Sequence, residues 1–247
     1  MSNEQLVSAC RVLLNAYKSG ALGNCRMPED SHPIFPDAES QLVYFTLPMS
    51  LNYQRDSYKL WEAALNTFND KETRSIFDVK ESATMSSDML RSHLLKHKVA
   101  LQPNKHVQTW QAIAKTIFER WGSITNLVKA TDADYTKLRQ TIQTDFKKGF
   151  PYISGPKIFN YWCFIISTYG GVQLKNAELI EIAPDTHVTQ CSARLGVITL
   201  AEAKSLSKQE ISQRWRELLK GTGINPIDMH PPLWFWSRSG FKFDINV

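Results

Sequence analysis

The stretch that decides the reading begins Phe150-Pro151-Tyr152-Ile153-Ser154-Gly155-Pro156-Lys157, runs on into an apolar segment, and closes with Pro184-Asp185-Thr186-His187-Val188 and Arg194-Leu195-Gly196. Lys157 to Tyr169 is apolar almost all round and predicts a buried helix. Upstream, residues 133–148 predict another helix, ending in Lys147-Lys148-Gly149, two cations followed by a glycine stop. Helix, tight turn and helix together place backbone N–H groups at a helix start. Such a turn suits contact with a phosphate, and Ser154 and Gly155 allow close approach. Asp185 stands directly before a helix reaching Leu195, with Gly196 as its stop.

Outward from this core most of the chain reads as helix. Leu6, Cys10, Leu13, Leu14 and Tyr17 make one apolar stripe. Residues 24–37, with Pro28, Pro33 and Pro36, read as a loop. Helices follow from about Glu39, from Asp56, and at 72–80 and 87–96. Lys105 to Trp121 is amphipathic, with Trp110, Ile113, Ala114, Ile117, Phe118 and Trp121 on one face. Residues 172–182 alternate with period two about Asn176 and predict a small β-hairpin. Residues 207–220 and a segment from Asn225-Pro226 predict the last helices.

Composition narrows the partners. The chain has 247 residues and a formal charge of +5, with 43% apolar and 21% charged residues, an ordinary globular balance. Between Arg91 and Lys157 twelve Lys/Arg face four Asp/Glu, a local excess of +8 that leaves −3 for the rest. That asymmetry fits a polyanion or a solvated helix face equally. The longest apolar run, Tyr161 to Ser167, is too short to span a bilayer. The start, Met1-Ser2-Asn3-Glu4, lacks the pattern of a secretory signal, and Cys10, Cys25, Cys163 and Cys191 form no C-x-x-C pair. A cytoplasmic location, associated with the nucleoid in a bacterium, is expected, with no metal and no cofactor.

Taken together, the turn and the aspartate motif resemble the helix-hairpin-helix DNA glycosylase superfamily, that of endonuclease III and 8-oxoguanine DNA glycosylase. There the hairpin reads L-P-G-x-G-x-K and is followed by V-D-T-H or V-D-x-H. Phe150-Pro151, Gly155 and Lys157 match the first motif and Asp185-Thr186-His187-Val188 the second. Arg194-Leu195-Gly196 resembles the R-L-G that closes the following helix. The likeness covers roughly Glu39 to the C-terminus. The hairpin here is one residue longer, the segment before Asp185 is extended, and the four-cysteine iron–sulfur loop of endonuclease III is absent.

The resemblance implies an all-α, two-lobed fold with the β-hairpin at about 172–182 as an insertion. One lobe spans 40–160 and ends in the helix-hairpin-helix. The other combines 1–39 with 161–247 and carries the aspartate, with the active site between the lobes. It also implies a monomer acting on double-stranded DNA, flipping out and excising a damaged or modified base. Asp185 would stabilise positive charge on the deoxyribose. Lys157, expected at a mostly buried helix start where desolvation favours the neutral amine, would form a Schiff base and support β-elimination. His187 is expected to be structural. Ile153, Ser154, Gly155, Asn52, Gln54, Arg55, Leu101, Lys105 and Lys148 are the DNA-contact candidates, with Lys98 and Lys147 beside them. Tyr161, one turn after Lys157, and Trp234, Phe235 and Trp236 are the base-pocket candidates.

An oxidised purine is the first substrate expectation. The alternatives are a monofunctional enzyme, including a defence enzyme acting on a hypermodified phage-type base, a non-catalytic helix-hairpin-helix module that only binds DNA, and a nucleoside hydrolase on the same fold.

Overall fold

Each predicted stripe becomes a helix where a cap and a stop flank it. The computed structural model describes residues 2–245 and is mostly helical. Among these residues the α-helices, in order, are α1 Asn3–Lys18, α2 Ala38–Thr46, α3 Ser57–Asn69, α4 Val79–Thr84, α5 Ser87–Lys96, α6 Pro103–Trp121, α7 Ile124–Ala130, α8 Tyr135–Gln140, α9 Pro156–Thr168, α10 Thr186–Leu195, α11 Glu202–Ser205, α12 Lys208–Leu219 and α13 His230–Arg238. Asp37, Asp56, Asp78, Ser86, Ser123, Asp134, Asp185 and Ser207 accept from the first-turn N–H groups of the helices they precede. Gly122 ends α6 at φ +77°, donating back to Ile117 and Phe118.

The chain divides into two units. Pro28–Asn176 forms the larger; Met1–Met27 and Ala177–Val247 form the other. The expected division at 39/40 and 160/161 cut through the start of α9. That helix lies wholly in the larger unit because its apolar residues pack there: Trp162 donates to Thr46 Oγ1 at 2.9 Å, and Tyr135 donates to Asn160 Oδ1 at 2.8 Å. The larger unit's core is aromatic, with Tyr44 ringed by Phe35, Phe45, Phe68, Phe77 and Trp61. On α6, Trp110, Ile113, Ala114 and Ile117 are buried as expected. Trp110 Nε1 donates to Ser82 Oγ on α4 at 3.0 Å.

The smaller unit centres on α10 and α13, where Cys191 Sγ donates to Leu233 O at 3.0 Å and Trp215 Nε1 on α12 to Ser192 Oγ at 2.8 Å. All four cysteines are free; Cys10, Cys163 and Cys191 are buried and Cys25 is half-buried.

Two expectations are corrected. No strand forms at 172–182 among the described residues. Lys175 instead bridges to Asp134, exchanging hydrogen bonds with Ala133 O and Tyr135 N, and Asn176 Nδ2 donates to Asp134 Oδ2. The alternation is real, since Val172, Ile180 and Ile182 are buried, but no paired ladder accompanies it. The expected helix 133–148 breaks after Gln140 into a π-helical turn, Thr141–Asp145, and a 3₁₀ turn, Lys147–Gly149. A Cβ on Gly149 would sit 2.4 Å from Thr116 Oγ1, so the glycine lets this turn lie against α6. No helix is long and apolar enough to cross a membrane among the described residues.

Candidate nucleic-acid interface and catalytic residues

The turn after Gly149 spends its own donors internally. The N–H groups of Ile153, Ser154 and Gly155 bond to Pro151 O, Phe150 O and Tyr152 O at 2.9, 2.9 and 3.0 Å. Ile153 is fully buried. At the start of α9, Gly155 is the cap residue and no side chain caps the helix. Gly155 has an ordinary φ of −73°, while the left-handed position belongs to Tyr152, at +64°.

That backbone directs Tyr152 to a surface cluster. Its ring lies 5.5 Å from that of Tyr53, which is half exposed, and Lys105 Nζ sits 5.2 Å over it. The phenol raises the exposed Lys105 ammonium above its ordinary range. Tyr53 belongs to the polar loop 52–56, and Lys105 to the first turn of α6. Arg55 joins the same loops from beneath, donating to Val99 O at 2.6 Å and Lys98 O at 3.3 Å, and its partial burial lowers its affinity for its proton. Asn52 accepts from Ser57 Oγ at 3.0 Å. Asn52 and Arg55 thus shape the loop, whereas Gln54, at φ +52°, is exposed.

The DNA-contact candidate Leu101 is 53% exposed, an unusual place for a leucine side chain. Its N–H donates to His106 Nδ1 at 3.0 Å. Burial, with Arg55 and Lys105 adding positive charge, holds the imidazole pKa down, so the ring stays a neutral acceptor. Lys98, Lys105, Lys147, Lys148 and Lys157 are all exposed, and Arg120 lies over the Phe146 ring at 5.2 Å. The DNA-contact candidates other than Ile153 therefore belong to segments that the larger unit connects to one another.

The catalytic candidates stand differently. Lys157 is the second residue of α9 and is exposed, not held at a buried helix start, because α9 turns the Ile158 and Phe159 side of its first turn inward. It belongs to the larger unit and Asp185 to the smaller. Asp185 is half-buried, and its Oδ1 accepts from Val188 N at 2.8 Å as the cap of α10. His187 Nδ1 meets Ser237 Oγ at 2.9 Å, and Ser237 gives its one hydroxyl proton to Gln190 Oε1 at 3.0 Å. The imidazole is then the donor, in the structural role expected of it.

The pocket candidates separate as well. Phe235 and Trp236 are buried in the smaller unit. Phe235 stacks on Tyr17, and Trp236 Nε1 donates to Phe243 O at 2.8 Å. Half-buried Trp234 lies between His187 and Arg238, the latter 4.4 Å over its ring. Tyr161, in the larger unit, donates to Glu29 Oε1 at 3.0 Å.

Glu29 is what the sequence reading missed. It sits in a short 3₁₀ turn, Pro28–Asp30, with no exposed surface. Trp61 Nε1 also donates to its Oε1, at 2.8 Å. Burial pushes its pKa up to about 7 against those hydrogen bonds. A glutamate in a proline-rich loop carries no sequence signal of this. Among the described residues no group of three or more His, Cys, Asp or Glu is placed to hold a metal ion. Comparison with known proteins finds no family model that matches the chain and no curated protein that matches it in sequence.

Proposed function

We propose that the chain is a helix-hairpin-helix DNA glycosylase of two-lobed, all-α architecture that flips a damaged or modified base out of double-stranded DNA and excises it. The observation that carries the reading is the Tyr53–Tyr152–Lys105 cluster. It joins the polar loop, the start of α6 and the hairpin, three segments proposed separately as DNA contacts. Aromatic faces and a cation on one surface suit a strand backbone and unstacked bases. In this reading Asp185, fixed by its cap bond, supplies negative charge to the developing oxocarbenium ion. Lys157 acts as nucleophile: its amine attacks the sugar C1′ as the base leaves with a proton, and cleavage of the C1′–O4′ bond, with O4′ taking up a proton as the C4′ hydroxyl, opens the ring to the Schiff base for β-elimination.

The exposure of Lys157 favours a second version, in which Asp185 assists attack by water.

One assay tests both. The protein is incubated with duplexes carrying a panel of oxidised, deaminated and bulky bases, with and without borohydride. A covalent adduct that disappears in Lys157→Ala supports the lyase; base release without an adduct supports the water route. Absence of release from every duplex overturns the glycosylase reading.

A further inference from the structure

Among the larger unit's buried polar atoms without a hydrogen-bond partner among the described residues, two belong to its aromatic core: Glu29 Oε2 and the Tyr44 hydroxyl. Buried polar groups are nearly always bonded, and an unbonded one is destabilising. Here two occur in one cluster. Trp61 donates to Glu29 Oε1, and its ring lies 5.6 Å from that of Tyr44. The two unbonded atoms do not bond one another, yet they are near enough for the Glu29 charge, beside burial, to raise the Tyr44 phenol's pKa.

The remainder of the cluster is fixed. Trp61 and Tyr161 together occupy Oε1 and set the carboxyl plane, leaving Oε2 as the available acceptor. The rings of Phe35, Phe45, Phe68, Phe77 and Trp61 surround Tyr44, and its hydroxyl has no acceptor. Of the four residues Glu29, Tyr44, Trp61 and Tyr161, only Tyr161 reaches the surface. It lies one turn beyond Lys157 on α9, so access to the carboxyl passes the Tyr161 ring.

We propose that Glu29 and Tyr44 form a base-reading site that accepts a nucleobase by a lactam edge, an N–H beside a C=O, and that Glu29 determines which base is taken. Oε2 accepts the ring N–H and the Tyr44 hydroxyl donates to the carbonyl, so each unsatisfied atom gains the partner it lacks. The Tyr161 ring turns aside to admit the base. Above about pH 7, where Glu29 is ionised and can only accept, an amidine edge, as in adenine, offers it a ring nitrogen in place of a donor and is rejected. Sites built around buried polar groups discriminate strongly, because the wrong ligand leaves those groups unpaired. The proposal rests on the glycosylase reading for the presence of a base, and it extends that reading to the base's chemistry.

Hypoxanthine and adenine differ in this edge, which makes them matched probes. Their affinities for the full-length protein are measured calorimetrically as free bases, and each is then placed in duplex DNA and assayed for release. Wild type is expected to bind hypoxanthine at least tenfold more tightly than adenine. Glu29→Gln should bring the ratio below about threefold, and Tyr44→Phe should weaken hypoxanthine about tenfold. A circular dichroism melt verifies that each variant folds, and Tyr44→Phe alone suffices if Glu29→Gln does not. If the atoms enclose only an internal water, both variants shift the melting temperature and leave the base preference unchanged, which overturns the proposal. Failure of wild type to bind either free base also overturns it. The glycosylase reading would still stand if the covalent-adduct assay succeeded, so the two failures are separable.

Discussion

The Tyr161 hydroxyl donates to Glu29 Oε1 at 3.0 Å, joining α9 to a turn 132 positions earlier in the chain. The contact ties the helix that follows the hairpin to a buried acid, so the acid's ionisation is coupled to stability. In the folded chain its pKa is raised to about 7, against about 4.5 when exposed. Between these values the unfolded chain binds fewer protons than the folded one, so stability falls as pH rises. The group's stabilisation is complete below about pH 4.5 and is lost by about pH 7, a change of about 3 kcal/mol at ~1.4 kcal/mol per pH unit. Glu29→Gln keeps an acceptor for Trp61 and Tyr161 and should flatten this dependence. Urea unfolding at pH 5 and pH 8 measures it; equal pH dependence in both proteins would refute the assignment.

His106 carries the opposite dependence. Its folded pKa is depressed, so between that value and about 6.5 the unfolded chain binds more protons. The stabilisation is complete above about pH 6.5 and is lost as pH falls through the folded value. The first bond lost is that from Leu101 N–H. Amide exchange at Leu101, corrected for its intrinsic rate, should accelerate on acidification, while the Ile117 amide, inside α6, serves as an internal control. Unchanged protection at Leu101 down to pH 5 would count against the contact.

Asp185 has two separable roles. Asparagine caps a helix about as well as aspartate, whereas alanine forfeits about 1 kcal/mol. Asp185→Asn should therefore melt close to wild type and lose base release, and Asp185→Ala should lose both. A destabilised Asp185→Asn, or an active one, would assign the residue to the cap alone.

Gly149→Ala would drive a methyl to within 2.4 Å of the Thr116 hydroxyl and should cost about 1–3 kcal/mol. Thr116→Ala removes the two closest atoms and should restore part of that loss. Chemical unfolding of the single and double variants reports the coupling. Additive losses would show that the 3₁₀ turn does not press on α6.

DNA affinity should fall with salt, because each neutralised phosphate releases counterions. Lys105→Ala and Lys148→Ala should each lower the slope of log K against log salt by about 0.9. Fluorescence anisotropy on an unmodified duplex measures this directly. An unaltered slope in both variants would remove this face from the interface.

Much of this architecture is visible in the residues. The stripes on α1 and α6, the cap at Asp56 and the stop at Gly122 each require only neighbouring side chains. The misread elements depend on distant partners. Val172 to Ile182 alternates because one side is buried, and alternation does not specify that a strand does the burying. The helix before the hairpin breaks at Thr141, and nothing in the apolar spacing marks it. Asn52, Arg55, Leu101 and Lys105 are conspicuous as polar or exposed punctuation between helices. Glu29 is not, because its meaning comes from Trp61 and Tyr161, both remote in the chain. Trp236 and Phe235 illustrate the converse: aromatic clustering looks the same in sequence whether a ring faces a pocket or the core.

The cysteines offer a practical handle. Burial pushes the thiols of Cys10 and Cys191 up to about 12 and holds that of Cys163 well above its ordinary value, which leaves them poorly nucleophilic at neutral pH. Cys25 alone is partly open, and it lies four residues before Glu29. A maleimide dye should therefore attach at one position of the unaltered protein, a short way along the chain from the buried acid, and report on that turn without an engineered thiol.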